Sequence, residues 1–481
     1  MNKILVRNAP SPTGLFHVGT ARTGLFNFLF AKKHQGKFIL RFEDTDTERS
    51  QDAFIKNILE GHLKLGLQFD EEPTFQSQRK KIYKKYLHKI LEEKKAFYCF
   101  CTKKEMQKKR EEQIKKKLPP RHECQCHLLE NKICLEKIKT QKYCIRFLLP
   151  QDRGDIIIND LVRGEIKINV KQLDNFVIAK DLETPIFNFC NVVDDYEMNI
   201  THVLRGEDHI PNTPKHILLY EALGFPIPQF GHFPLILNTD KSKLSKRKNK
   251  VSIDDYLNEG YLPEAIINFL ALLGWNDGTE QEIFSLEELI NKFSLERVHK
   301  GGAVFDLKKL DWLNSKYIKQ LNNKELLLKL DNFIKKTKIQ PLIAKKGTDY
   351  LEKVIKAVQE KMKKLSEIEE LITFFYDFSE PSKEIFLHEK MKVDENIAKT
   401  ALEKSIDLIT NIASEEFTEE NLKEKCLVII KNLNWKNGQL LWPLRAGLTG
   451  KSASPGAFEV ACILRKEECL IRLKKCLSLF T

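Results

Sequence analysis

Histidine, glycine and clustered lysine, placed where a strand gives way to a helix and again in a distant loop, are the residues of this chain best suited to chemistry on a polyphosphate. The first group is PSPTGLFHVGT, Pro10 to Thr20. It follows the apolar run Ile4, Leu5 and Val6 and leads through Pro10, Pro12 and Gly14 into Ala21 to Phe30, a pattern that predicts strand, tight loop and helix. A helix beginning there would aim free backbone N–H groups at an anion. His17 and Gly19 fall at that point, where an imidazole can bond a phosphate oxygen and glycine lets a ligand approach the backbone. The second group is KLSKR, Lys243 to Arg247, in a run that also holds Lys241, Lys248 and Lys250. Such a loop can close over a triphosphate and neutralise charge as pyrophosphate departs. A lysine-rich stretch alone reads as an exposed turn. The two groups together read as the walls of one nucleoside triphosphate site.

Paired in this order, HVGT and KLSKR resemble the two signatures of class I aminoacyl-tRNA synthetases. The wider stretches RNAPSPTGLFHVGTART, FILRFEDTD (Phe38 to Asp46), NVVDDYEM (Asn191 to Met198), THVLRGEDH (Thr201 to His209) and LSKRKNKVS (Leu244 to Ser252) resemble the bacterial glutamyl-tRNA synthetases. The resemblance continues through YLPEAIINFLALLGW (Tyr261 to Trp275) to WPLRAGLTGKSASPGAFE (Trp442 to Glu459), so it covers essentially the whole chain. It implies a ligase that forms glutamyl-adenylate from ATP, with Mg²⁺ accompanying the nucleotide, and passes glutamate to the 3′ end of tRNA(Glu). It also implies that tRNA binds before activation. Whether tRNA(Gln) is charged too stays open. Two rivals stand beside this reading. One is the truncated paralogue that glutamylates queuosine in a tRNA, which lacks the helical region expected here over 322–481. The other is a catalytically silent tRNA-binding paralogue, whose mark would be an eroded HVGT or KLSKR; neither is eroded.

In such an activation a carboxylate attacks the α-phosphorus of ATP, so both reactants are anions and catalysis rests on positioning and positive charge. The catalytic candidates are His17, Gly19, Lys243 and Lys246; the resemblance implies that Lys246 reaches the triphosphate. A guanidinium fork matches a carboxylate, and the resemblance places Arg7 and Arg205 around the amino acid, Glu43 at its α-ammonium, and Ala9, Ser11, Asn191 and Phe187 in the rest of the pocket. Read without the resemblance, Arg7 and Glu43 equally suit an ion pair across a sheet. Phe187 departs from the family, many of whose members carry tyrosine there, so one hydroxyl is missing from the inferred pocket.

Cys99-Phe100-Cys101 and Cys124-Gln125-Cys126 form a doubled C-x-C array with His122 and His127 alongside. Four thiolates of this kind suit tetrahedral structural zinc. Some bacterial relatives carry zinc in this insertion, with ligands from a C-x-C pair and a second cluster resembling PRHECQC (Pro120 to Cys126). His122, Cys124, Cys126 and His127 compete to complete the set, and free cytosolic thiols are the alternative.

These residues need a scaffold. Alternating strand and helix signals over residues 3–70 predict a parallel sheet whose ligands bind beyond the carboxyl ends of the strands. The 481-residue length implies roughly three or more domains. The expected fold is α/β: a Rossmann-like catalytic domain over 1–78 and 191–240, split by an α+β acceptor-stem-binding insertion over 79–190. A KLSKR-loop and stem-contact domain follows over 241–321. An all-α anticodon-binding region covers 322–481, in two parts with a break near 378, where Arg445 matches an arginine that approaches the anticodon in relatives. Proline at the start and glycine at the end bound a helix from Pro263 to Gly274, and a strand is expected over Pro234 to Leu237. The formal charge of +13 favours an anionic partner, nucleic acid ahead of membrane, although solvated lysine-rich helix faces would produce the same excess. Residues Arg79 to Lys117 hold 16 lysines or arginines against five glutamates and could track an RNA backbone. Eleven scattered cysteines argue against a disulfide framework. No signal-peptide pattern and no run of about 18 apolar residues is present, so a cytoplasmic protein is expected, as a monomer.

Overall fold

Strands buried on both faces are apolar at successive rather than alternate positions, and the first strands of this chain have that character. The computed structural model describes residues 3–45, 50–117, 121–122, 124–244 and 251–480. In it β1 (Leu5–Asn8) and β2 (Lys37–Phe42) are joined by α1 (Val18–Lys33), and α2 (Asp52–Lys64) leads to the short β3 (Thr74–Phe75). After α3 (Lys80–Glu92) come β4 (Ala96–Cys99), α4 (Lys103–Lys115), α5 (Asn131–Thr140), β5 (Cys144–Phe147), β6 (Asp155–Asp160), β7 (Gly164–Asn169) and β8 (Val177–Ala179). Then α6 (Phe187–Glu197), β9 (His202–Gly206), α7 (Thr213–Leu223), β10 (Gln229–Phe233), β11 (Ile236–Leu237) and α8 (Ile253–Asn258) follow.

The main sheet has the order β10-β9-β1-β2-β3, with every neighbouring pair parallel. The chain winds outward from β1 to β3, returns to the far side of β1 as β9, and winds the other way to β10. A crevice opens where winding reverses, at the carboxyl ends of β1 and β9, and Asn8 and Arg205 stand there. Between β3 and β9 the insertion builds an antiparallel sheet β4-β5-β8 and a two-stranded ribbon β6-β7. The turn of the ribbon is tied to the main sheet: Leu161 N donates to Phe230 O at 2.9 Å. α3, α6 and α7 bury Tyr83, Leu87, Phe189, Val192, Val193 and Leu219 in one continuous core. α4 has no fully buried residue, so the basic run expected to meet RNA divides into a packed helix and a largely exposed one.

One sequence expectation shifts and one holds. Of the strand expected over Pro234–Leu237 only β11, Ile236–Leu237, forms, and β10 ends at Phe233 just before Pro234, because proline has no N–H to continue a ladder. The helix opened by Pro263 runs Pro263–Leu272, with Gly274 beyond it at φ +102°.

The described residues fall into two units, 1–256 with 266–307, and 257–265 with 308–481. The second is helical. Tyr261 and Leu262 are held to Asp311 and Asn314, and helix Ile368–Tyr376 ends before an irregular stretch that leads to helix Glu395–Asn411. Arg472 spans that break, donating from Nη1 to the carbonyls of Phe374 and Leu448, each at 2.8 Å. Among the described residues no helix is long and apolar enough to cross a membrane.

Candidate active site

His17 stands one residue before α1 with extended backbone, and its Nδ1 accepts from Gly19 N at 2.9 Å. That bond commits the proton of the neutral ring to Nε2. Val18 N donates to Val251 O at 2.9 Å, and Ile253 N donates to Phe16 O at 3.0 Å. Two consequences follow. The first is a correction: two of the N–H groups at the start of α1 are already used inside the protein, so the helix start has fewer free donors for an anion than its position predicts. The second concerns the two motifs. The segment that closes the KLSKR loop is laid directly against HVGT, and Leu244, before the loop, donates its N–H to Ile236 O at 3.0 Å. Lys246 itself lies outside the described residues.

A network of buried charge fills the floor of the crevice. Arg7 Nε donates to Asp195 Oδ1 at 3.0 Å and Arg41 Nη1 donates to the same oxygen at 2.7 Å. Burial pushes Asp195 up, but Arg41 and Arg7 overcome it and hold the carboxyl well below the ordinary range. Arg41 also fixes Asn191, donating to its Oδ1 at 2.7 Å. Asp194 is engaged by Gln76, Arg79 and Tyr83. Glu43 is at a looser 3.7 Å from Arg41, and burial raises its pKa. Ser11 Oγ donates to its carbonyl at 3.1 Å. The direct Arg7–Glu43 pair that the sequence allowed is replaced by Arg7–Asp195. Both aspartates of NVVDDYEM serve here as partners, a role that the motif alone does not assign.

Arg205 has different company. It is 7% exposed, yet among the described residues no carboxylate lies within ion-pair distance of it. Its donors go to Thr213 Oγ1 at 2.9 Å, His232 Nε2 at 3.3 Å and His216 Nδ1 at 3.4 Å. Burial and the nearby Arg7 pull its pKa down to about 10. Beside it the Phe187 ring sits 5.5 Å from His209 and 6.0 Å from His216, so the position where relatives carry a hydroxyl faces imidazoles.

Beside these groups lies one cavity of about 440 Å³. Arg7, Ala9, Ser11, His17, Gly19, Glu43, Phe187, Asn191, Arg205 and Lys243 line it, so every described residue inferred for catalysis or for the amino acid is brought to one place. Asp208 and His209 also line it and were not singled out. Lys243 is exposed and 3.6 Å from Asp208, which it must leave to reach a phosphate. The pattern of "tRNA synthetases class I (E and Q), catalytic domain" matches residues 3–312.

The chain belongs to this class I synthetase family.

The pattern "Anticodon binding domain" matches residues 325–477. Curated relatives include "Glutamate--tRNA ligase" of Carboxydothermus hydrogenoformans, 43% identical over 481 residues that cover 97% of this chain and 98% of that one. Another is "Glutamate--tRNA ligase 2" of Caldicellulosiruptor saccharolyticus, 40% identical with 98% of each chain covered. The crystal structure of a glutamate tRNA ligase from Elizabethkingia meningosepticum in complex with its amino acid superposes with a TM-score of 0.86 at 31% identity, all of both chains being covered. The class I synthetase fold, parallel catalytic sheet first and helical anticodon unit after it, thus extends over this whole chain.

Two further sets of candidates are not among the residues that line the cavity. Cys99, at the end of β4, Cys101, Cys124 and Cys126 bring their sulfurs within 4.8 Å of one another, Cys99 being 3.9 Å from Cys124 and Cys101 4.0 Å from Cys126. Tetrahedral zinc with Zn–S bonds of about 2.3 Å spaces its sulfurs about 3.8 Å apart, so the four thiols fit that metal. His122 Nε2 touches Cys99 Sγ at 3.4 Å from beside the cluster, while His127 Nδ1 donates to Cys124 O at 3.0 Å. Cys144, opposite Cys99 in the β4–β5 register, is a fifth sulfur that spacing alone did not reveal. In the helical unit, Arg445 donates to Ser452 O at 2.8 Å and lies 4.7 Å over the Trp442 ring, rather than in a helix-end salt bridge. Trp442 Nε1 in turn donates to Ile385 O at 3.0 Å.

Proposed function

We propose that this chain is a glutamate–tRNA ligase, acting as a cytoplasmic monomer, that forms glutamyl-adenylate from glutamate and ATP and transfers the glutamyl group to the 3′ end of tRNA(Glu). One observation carries the choice of amino acid. Arg205 is a buried guanidinium held, among the described residues, by neutral acceptors, and it shares a cavity with Glu43, a buried carboxyl whose nearest cation, Arg41, stands at a loose 3.7 Å and is bonded more closely to Asp195. An amino acid with a side-chain carboxylate and an α-ammonium supplies both missing charges, whereas glutamine would leave the Arg205 charge uncompensated. Full-length similarity to ligases named for glutamate supports the same reading.

In this reading His17 and Lys243 face the triphosphate, Lys246 joins them from the loop, and Gly19 admits the nucleotide close to the backbone. Mg²⁺ arrives with ATP. No side chain is needed as nucleophile, because the substrate carboxylate attacks phosphorus itself. Arg7, Ala9, Ser11, Phe187 and Asn191 shape the amino-acid pocket. Arg445 contributes to anticodon contact, and the match to an anticodon-binding pattern over 325–477 weighs against the truncated queuosine-modifying paralogue. The test is ATP–pyrophosphate exchange with glutamate, run with and without tRNA, followed by charging of purified tRNA(Glu) and tRNA(Gln) in parallel. Exchange that requires glutamate and tRNA is expected. Silence in every arm would leave the non-catalytic tRNA binder.

Two further results are expected. Glutamate must meet Glu43 in its ionised form, and burial sets that group's pKa above the usual carboxylate value. Affinity should therefore be level at high pH and fall by up to about tenfold per unit once pH drops through the raised value, the opposite of what loss of a histidine charge would give. The KM for glutamate should rise as pH falls through that raised value while that for ATP does not. At the cysteine cluster Cys99, Cys101, Cys124 and Cys126 would hold a structural zinc ion that fixes the insertion and takes no part in chemistry, since none of these residues lines the cavity. Metal analysis should find one zinc per chain and none in Cys124→Ser, with a lower melting temperature; full zinc in that variant would remove Cys124 from the set.

A further inference from the structure

Arg205 owes its position to two imidazoles whose tautomers are set from behind. His232, fully buried, stands on β10 beside Arg205 on β9, in register with it. Its Nδ1 lies 2.6 Å from Asp160 Oδ2, and Asp160 also receives backbone N–H groups from Val162, Arg163 and His232. A carboxylate accepts only, so the Nδ1 proton points at Asp160 and Nε2 is left as a lone pair. That lone pair is what Arg205 Nε meets at 3.3 Å, with Thr213 Oγ1 3.0 Å away. His216, also buried, is arranged in the opposite sense. Its Nε2 faces Asn188 Oδ1 at 3.0 Å, which puts the proton there and turns Nδ1, as acceptor, to Arg205 Nη1. Burial favours the uncharged ring in both cases, with the Asp160 bond opposing it at His232 and Arg205 reinforcing it at His216.

Had evolution placed a carboxylate where either imidazole stands, Arg205 would be equally well oriented but already neutralised, and a substrate carboxylate would have to compete with it. A neutral acceptor fixes the guanidinium and leaves its charge available. We propose that His232 and His216, locked in opposite tautomers by Asp160 and Asn188, are positioning residues that aim Arg205 at the substrate's side-chain carboxylate without consuming its charge. This rests on the reading of Arg205 as the carboxylate receptor. It also gives the inserted β6–β7 ribbon, through Asp160, a part in the amino-acid pocket.

The experiment compares full-length His232→Phe and His232→Gln with the parent protein in tRNA-supplemented ATP–pyrophosphate exchange. Phenylalanine keeps the shape and loses the acceptor; glutamine can place a carbonyl oxygen near the position of Nε2. For His232→Phe the KM for glutamate should rise about tenfold or more, with the KM for ATP within about twofold of the parent. His232→Gln should recover most of the loss. An unchanged glutamate KM in a folded His232→Phe protein, or no recovery in His232→Gln, overturns the proposal. A second measurement is independent of activity: in a ¹⁵N-histidine spectrum His232 should appear as the Nδ1–H tautomer and His216 as Nε2–H. The His232 signal should shift toward a mixture in Asp160→Asn. The reverse tautomers would refute the proposal. If the parent protein shows no exchange with glutamate, the substrate reading falls, while the spectrum still decides whether the imidazoles are set as described.

Discussion

Arg205→Leu should lower kcat/KM for glutamate by about a thousandfold in tRNA-supplemented ATP–pyrophosphate exchange, a loss of about 4 kcal/mol. The KM for ATP should stay within about twofold. The size follows from the surroundings. Arg205 is buried and, among the described residues, pairs with no carboxylate, so an incoming one gains a desolvated, hydrogen-bonded partner that it loses once the guanidinium is gone. Arg205→Lys should recover only part of the activity, because an ammonium cannot meet Thr213, His216 and His232 together and still present a planar fork. Selectivity is the sharper readout. The parent protein should prefer glutamate to glutamine strongly, and Arg205→Leu should erase most of that preference by losing glutamate rather than by gaining glutamine. A variant that still prefers glutamate would move the recognition of the side-chain carboxylate to Arg7.

How far the sequence spoke for this site differs from residue to residue. The strand–helix–strand start was legible because short apolar runs, Ile4 to Val6 and Phe38 to Leu40, alternate with a longer helical stretch, as they do where a parallel sheet is covered by helices. Arg7, Glu43 and Arg205 were legible as pocket residues through the motifs that contain them. Their pairings were not. Asp195 reaches Arg7 across 188 positions because α6 packs under the sheet, and no local pattern reports a contact of that separation. A signal did exist in Arg41: a charge in the middle of the buried strand KFILRF must have a partner, and the adjacent acids of NVVDDYEM are the natural supply. His232, His216 and Asp160 carried no such signal, since none belongs to a local pattern and each takes its meaning from a partner distant in sequence. Cys144 is the same case, joined to Cys99 only by antiparallel register. The doubled C-x-C was legible because its spacing is local.

Asp195→Asn is the variant that tests the buried network as a charge network rather than a set of hydrogen bonds. Asparagine has the shape of aspartate, but where Asp195 accepts from Arg7 and Arg41 on its carboxylate, the amide offers one oxygen and one NH₂. An amide oxygen in place of Oδ1 could still accept from Arg7 Nε and Arg41 Nη1, but Arg7 Nη2 would then face an NH₂ group, and both buried cations would lose the one anion that they bond directly. Removing one partner from a buried pair costs about 3–5 kcal/mol, and the present case joins two cations to the partner removed, so a cost at the upper end is expected, seen as a lower melting temperature of the catalytic unit. Arg7 would lose its tether in the same step, so glutamate activation should fall with it. The sign of the pH dependence separates charge from shape. Asp195 has a folded pKa held below the usual value of about 3.9, so the stability it contributes is fully present above that value and is lost as pH falls through the folded one. The gap in melting temperature between parent and variant should therefore be constant from about pH 8 to about pH 5 and narrow only in stronger acid. A gap that closes near neutral pH would assign the effect to a histidine instead, and no gap at all would mean that Arg7 and Arg41 do not depend on the charge between them.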